Sequence, residues 1–363
     1  MTIRSGRSAF TLVEVMLASA ILAVLVLMFA SMVSQTSSLW RRTSGKIEQF
    51  REARNAFELL TTRVSQATLN TYWDYDNPVN PTRYERRSEL RFITGQASTM
   101  LPASGVVQRP THCVFFQAPL GVTAFDSSGK KKYQGYENLL CACGYYVEYN
   151  DDRNLRPGFI SPTLVPYRYR HRLMQFLLPA DNNIIYNYTS GPGRAGVNTN
   201  AWYQPLAIAN PPVYSRPIAE NIVALIITPR LAPEDEAGIT KSTPDESPIA
   251  PQYSYDTTPG AGTGARYTDA RLNPTNQLPP ILQVTMVAID ETSAIRIGLS
   301  DKSGDIFNVA KKFTASADYG KDLLVTRDTG SLEATLIQRG VNYRIFNTNV
   351  TIRGAKWSRQ QSK

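Results

Sequence analysis

Hydrophobic residues follow three different rhythms along this chain. From Phe10 to Val33 they are nearly continuous: Leu, Ala, Met, Val and Ile dominate, Pro and Gly are absent, and the only breaks are small hydroxyl residues and one carboxylate, Glu14. A helix crosses the hydrocarbon of a bilayer with about 20 apolar residues, and it satisfies its backbone groups internally. A secretory signal would need a shorter apolar core followed by a small-residue cleavage site, and Ala18-Ser19-Ala20 falls too early for that. The expectation is a single transmembrane helix over 10–34, preceded by a short basic prefix, MTIRSGRSA.

The second rhythm begins after a polar stretch from Thr36 to Gly45. Apolar positions recur at Phe50, Ala53, Phe57, Leu60, Val64 and Ala67, in steps of three and four, with Arg51, Glu52, Arg54, Glu58 and Arg63 between them. This is the spacing of an amphipathic helix, expected over 35–70. Joined to the membrane segment without a break it would be about 90 Å long at 1.5 Å per residue. Its apolar stripe then needs a sheet to cover it.

The third rhythm supplies that sheet. Glu89 to Thr94, His112 to Pro119, Cys143 to Tyr149, Arg168 to Leu178, Asn221 to Thr228, Ile281 to Asp290 and Tyr343 to Arg353 are alternating or short β-branched and aromatic runs bounded by turn residues. Few helices intervene, apart from a short one expected at Leu332 to Ile337, so the sheet should be antiparallel. The fold class is α+β: a long N-terminal helix packed on a β-rich domain over 71–353, with a tail over 354–363. Between Thr228 and Pro280 the composition shifts to Pro, Gly, Ser, Thr, Asp and Glu. That stretch is expected to be a flexible surface insertion over 228–280, with Gly238 to Thr257 removable at little cost.

Composition bounds the chemistry. With 42% hydrophobic and 19% charged residues the chain is ordinary globular material, and its formal charge of +9 is not gathered into one basic block. The nearest thing to a basic stripe, YRYRHR from Tyr167 to Arg172, reads as a solvated strand face, so nucleic acid is not an expected partner. Two histidines, His112 and His171, are the entire supply, and His112 and Cys113 should face opposite ways in a strand. GxSxG, HExxH, P-loop and dinucleotide motifs are absent, and GPGRAG at Gly191 to Gly196 lacks the strand-to-helix setting of a phosphate loop. No catalytic residue and no cofactor is expected. WDYDN at Asp74, Asp76 and Asn77, and ADNN at Asp181, Asn182 and Asn183, offer oxygens but read as turns, because calcium draws six to eight ligands from several segments. Cys113 could form one disulfide with Cys141 or Cys143 in an oxidising compartment. Cys141 and Cys143 are expected on opposite strand faces, so that only one would reach Cys113.

An acid so close to the start of a membrane-length helix calls for a partner. The residues AFTLVEVMLASAILAVLVL resemble the N-terminal signature of type IV prepilins and type II secretion pseudopilins. That resemblance implies a leader over 1–9, cut by a prepilin peptidase between Ala9 and Phe10, N-methylation of Phe10, and pairing of Glu14 with the N-terminal amine of a neighbouring subunit. Two costly charges become tolerable as a pair. Ala9 departs from the glycine usual before the cut. Arginines 4 and 7 before the helix, and Arg41, Arg42 and Lys46 after it, leave the positive-inside count ambiguous, and the resemblance decides for the N-terminus inside. The globular part would then lie outside the inner membrane, in the periplasm, with lipid, sibling pilin-like subunits, the peptidase and an assembly platform as partners.

Two further likenesses refine this, the first loose and the second closer. Asn221 to Thr228, and Leu278-Pro279-Pro280 followed by Ile281 to Ile289, resemble the last two strands of the larger, J-like minor pseudopilins. Leu39 to Asp76 resembles the Verru_Chthon cassette protein C family, whose members sit in sets of pilin-like proteins. The implied role is a structural subunit of a type II secretion or type IV pilus-like filament or of its initiation complex, and not an enzyme. The alternatives are a pilus-tip adhesin, with 228–280 meeting a surface, and an unprocessed single-pass membrane-anchored binding protein.

Overall fold

The computed structural model describes residues 11–77, 79–102, 107–125, 128–131, 133, 135–186, 199–209, 212–258, 269–300, 305 and 307–355. The chain divides into two compact units, Met1–Gln49 and Phe50–Lys363. One helix, α1 (Leu12–Ser65), is continuous through the division. In the first unit, Leu12–Trp40 has a mean hydropathy of 2.7, and among the described residues it is the one helix long and apolar enough to cross a membrane. Its side chains are exposed throughout. An apolar surface of this extent marks contact with lipid or protein.

In the second unit, α1 behaves as its spacing predicts. Ala53, Phe57, Leu60 and Val64 are buried, Ala56 completes the stripe, and Phe50 packs at its margin. Arg51, Arg54 and Glu58 stay exposed. The helix closes with tight three-residue bonds, Gln66 N–H to Arg63 O at 3.1 Å and Ala67 N–H to Val64 O at 3.0 Å, which satisfy carbonyls that the last turn would leave open. Arg353 N–H covers Ser65 O at 3.0 Å, and Thr68 N–H binds Gln117 O at 2.9 Å, which fixes the exit onto the sheet.

All strand pairings are antiparallel. Tyr72–Tyr75 (β1) and Tyr84–Arg87 (β2) form a two-stranded ribbon. A six-stranded sheet is built from Ile93–Gln96 (β3), His112–Pro119 (β4), Leu140–Asn150 (β5), Arg170–Leu178 (β6), Ser215–Glu220 (β7) and Tyr255–Asp256 (β9), in the order β7-β6-β5-β4-β3-β9. Ile222–Arg230 (β8), Ile281–Ile289 (β10) and Tyr343–Thr351 (β11) make a three-stranded sheet in the order β11-β10-β8. The fold is α+β, a long apolar N-terminal helix followed by antiparallel sheets.

The α1 stripe, Val114, Phe116 and Tyr145 of the larger sheet, and Leu225, Val284 and Met286 of the smaller one share a core. The other face of the larger sheet packs Phe115, Tyr146 and Phe176 against Trp202 and Tyr203. The other face of the smaller sheet packs Ile226, Val287 and Ile289 against Phe307, Phe313 and Leu336. Both sheets are therefore covered on two faces. This is why β8 reads as an unbroken apolar run, IVALII, rather than as an alternation. The helix Leu332–Gln338 forms where expected, and Ser331 caps it by accepting from Ala334 N–H at 3.1 Å.

Three expectations are corrected. Residues 228–258 are not a flexible insertion: Ile249, Ala250, Tyr253 and Tyr255 are buried, and β9 completes the larger sheet against β3. Tyr255 donates to Gln277 O at 2.9 Å, and Asp256 pairs with buried Arg91 at 2.7 Å. A few large rings and one ion pair anchor a stretch whose mean composition is polar. Residues 259–268 of the expected insertion lie outside the described residues.

The second half of the YRYRHR stretch is not a solvated face either. Arg170, His171 and Arg172 are buried in β6. Arg170 pairs with Glu291 and Glu220, and Arg172 pairs with Glu220 at 3.3 Å, so planar forked guanidinium groups are buried while their partner carboxylates stay open to solvent. The strand expected from Glu89 begins only at Ile93. Before it, Ser88, Glu89 and Leu90 are instead held by the Asn70 side chain, whose Oδ1 accepts from Glu89 N–H at 3.0 Å and Leu90 N–H at 3.2 Å.

Candidate functional site

The feature that draws the sequence signals together is the start of α1. Thr11 stands immediately before the helix and Glu14 lies in its first turn. Glu14 Oε2 accepts from Thr11 N–H at 2.9 Å and from Thr11 Oγ1 at 3.0 Å, and Thr11 Oγ1 lies 3.4 Å from Glu14 N–H. This is a capping box: a hydroxyl serves an open N–H of the first turn while the acid reaches back to the residue ahead. It also sets the carboxylate at the positive end of the helix dipole. The T-x-x-E spacing is visible in the sequence, yet the box was not anticipated, because the acid draws attention as an anomaly within an apolar run.

The box engages Oε2. Oε1 has no hydrogen-bond partner among the described residues. Ala9 and Phe10, the expected cleavage and methylation positions, lie outside the described residues.

Several other polar side chains of the apolar helix are satisfied within it. Ser19 Oγ donates to Met16 O at 2.9 Å, Thr36 Oγ1 to Met32 O at 2.8 Å and Ser38 Oγ to Gln35 O at 2.8 Å. Hydroxyls that bond back to the preceding turn present little unsatisfied polarity to hydrocarbon.

The cysteines do not meet. Cys113, Cys141 and Cys143 are free, buried thiols. Cys141 and Cys143 are two residues apart in β5 and therefore share a face, which corrects the expectation that they diverge. Cys113 sits opposite Tyr146 in the register, on the other face of the sheet, so the sheet itself stands between it and both candidates. Burial pushes the Cys113 thiol up and the Cys143 thiol up to about 11. Thiols of that kind stay protonated and poorly nucleophilic at neutral pH.

His112 and Cys113 do face opposite ways. His112 Nδ1 accepts from Ile227 N–H at 3.0 Å, and Nε2 lies 2.9 Å from Phe313 O. Burial lowers its pKa to about 4. This histidine ties β4 to β8. His171 is buried in β6 with its ring 4.5 Å from that of Tyr149.

The WDYDN cluster closes a turn, whereas Asp181 ties its segment to the stretch after β4, 57 residues away. Asp76 Oδ1 accepts from Thr82 N–H at 2.9 Å and Arg83 N–H at 3.2 Å, while its Oδ2 takes the Thr82 hydroxyl. Asp181 Oδ2 accepts from Ala124 N–H at 2.7 Å. The stretch GPGRAG lies outside the described residues.

Comparison with known proteins bears on the same end of the chain. Residues 4–30 match the family described as the prokaryotic N-terminal methylation motif. No curated protein and no solved structure matches the chain. The chain thus carries a prepilin-type N-terminal signal over an apolar helix long enough to span a membrane.

Proposed function

We propose that this chain is a structural, pilin-like subunit: cut between Ala9 and Phe10 by a prepilin peptidase, methylated on Phe10, and assembled through α1 with sibling pilin-like subunits. The observation that carries this is the methylation motif at residues 4–30, whose described part runs into an uninterrupted helix with Glu14 in its first turn. In this reading the capping box orients the carboxylate, and Oε1 accepts the N-terminal ammonium of a neighbouring subunit. Helix capping alone would be served by a neutral amide. The ion pair requires the charge.

The assembly is a type II secretion or type IV pilus-like filament, or the complex that initiates one. The subunit is of the larger, J-like minor pseudopilin kind, a reading supported by the resemblance of Leu39 to Asp76 to the Verru_Chthon cassette protein C family. It anchors in the inner membrane with its globular part in the periplasm, and it carries out no catalysis of its own.

The test compares Glu14→Gln with Glu14→Leu in cells that carry the sibling subunits. Glutamine is accepted in a capping box but brings no charge, whereas leucine removes both functions. Both variants are expected to stay in the membrane fraction, because insertion follows the summed hydrophobicity of the helix. Both are expected to lose most of the crosslinking to sibling subunits seen in the wild type. Wild-type crosslinking by Glu14→Gln would reduce Glu14 to a helix cap.

A further inference from the structure

The ribbon of β1 and β2 displays a surface that the assembly reading does not use. Register pairs Trp73 with Arg86 and Tyr75 with Tyr84. Side chains alternate between faces, so these four share one face, while Tyr72, Asp74, Glu85 and Arg87 occupy the other. The Tyr75 and Tyr84 rings stack with centroids 4.9 Å apart, and the Arg86 guanidinium lies 5.6 Å from the centre of the Trp73 ring. Cross-strand contact accounts for only part of this surface: Trp73 remains 55% exposed and Tyr84 63%.

The ribbon is held rigid from beneath. A lone two-stranded hairpin is marginal in water. Here Asp76 closes the turn on Thr82 and Arg83, Arg87 Nη2 donates to Tyr75 O at 2.8 Å and Asp76 O at 3.1 Å, and Asn276 Nδ2 donates to Arg86 O at 2.6 Å. The aromatic side chains therefore stand on a fixed base, so little ordering is left for a ligand to impose.

Charge selects the occupant. The aromatic face carries a single charged residue, Arg86, while Asp74, Glu85 and Arg87 lie on the other face, where Arg83 meets Glu85 at 2.6 Å and Arg87 lies 3.8 Å from Asp74. A nucleic-acid strand needs positive charge repeated along its backbone, and one arginine does not supply it. A protein hot spot sits in a desolvated pocket ringed by further contacts, whereas four residues per strand give no such ring. A neutral sugar strand fits: its C–H faces carry slight positive charge and meet the negative faces of aromatic rings, while its hydroxyls find the phenols, whose oxygens lie 3.3 Å apart, and the donors of Arg86. We propose that the Trp73, Tyr75, Tyr84 and Arg86 face of the β1–β2 ribbon is a stacking platform for a neutral polysaccharide strand.

The experiment is calorimetric titration of the full-length protein, in a detergent without sugar headgroups, with chitohexaose and with cellohexaose, and separately with an oligothymidylate. The expected result is binding of at least one oligosaccharide, weakened roughly five- to tenfold in Trp73→Ala and in Tyr84→Ala, and largely restored in Trp73→Phe and Tyr84→Phe. Phe159→Ser, which removes an exposed ring outside the ribbon, is expected to bind like the wild type. Wild-type protein that binds neither oligosaccharide, binding unchanged in Trp73→Ala, or binding of oligothymidylate alone would each overturn the proposal. Far-ultraviolet circular dichroism of every variant separates lost stacking from lost folding.

Discussion

At the scale of single residues, His112 couples the two sheets in a way that acid should undo. Ile227 N–H can only donate, so Nδ1 must be unprotonated, and the neutral ring offers its Nε2 proton to Phe313 O. Adding a proton would set two donors against each other in a fully buried site. Burial lowers the folded-state pKa to about 4, against about 6.5 for a free imidazole. A lowered histidine pKa means that the unfolded chain binds more protons between those values. The stability from the neutral ring is therefore whole above about pH 6.5 and is lost as pH falls toward 4, by about 3 kcal/mol at most. Denaturant unfolding of wild type and His112→Gln at pH 7 and pH 4 checks this: the advantage of the wild type should shrink by an amount of that order. A difference that does not change with pH would mean that the ring is not buried neutral. The capping box at Thr11 and Glu14 belongs to this scale too, since it depends on two side chains and a spacing of three.

At the scale of elements, the long helix and the long strands were legible, whereas the helix Glu291–Ser300 and the short strands were not. The α1 stripe at Ala53, Phe57, Leu60 and Val64 announces itself because one-sided burial imposes a period on it, and β4, β6, β8 and β10 because burial on both faces leaves apolar or β-branched runs between turn residues. β9 is two residues long and lies in a polar stretch, so only Tyr253 and Tyr255 hint at packing there. β1 and β2 pair outside the large sheets and have no apolar face to pattern. Arg170 and Arg172 read as surface because charge usually is; their partners Glu220 and Glu291 are distant in sequence and invisible to a local pattern. Deleting Gly238 to Thr257 removes Ile249, Ala250, Tyr253 and Tyr255 from two cores and uncaps the β3 edge. Burying even one such side chain contributes about 1.5–3 kcal/mol, so the deletion should abolish cooperative unfolding followed by tryptophan fluorescence. A deletion variant with a wild-type unfolding midpoint would return this segment to the status of a loose surface loop.

At the scale of the whole molecule, the recognisable signal lies at the end where the fold is simplest. The prepilin-type signal spans residues 4–30, while the three cores, both large sheets and the aromatic ribbon all lie in the second unit. The signal could be read from sequence because it is contiguous: a basic prefix, a small residue, an aromatic, an acid at fixed spacing and an apolar run. The ribbon could not, because its chemistry appears only when Trp73 and Arg86, and Tyr75 and Tyr84, are set side by side by strand register. The account as a whole rests on processing, since an uncut chain has no free Phe10 amine to meet Glu14 of a neighbour. The direct measurement is mass spectrometry of the intact N-terminus of protein isolated from membranes of cells with their prepilin peptidase, run beside an Ala9→Glu variant. The account predicts a wild-type chain that begins at N-methylated Phe10, and a variant that keeps its leader yet remains in the membrane. A wild-type chain that still begins at Met1 would contradict it.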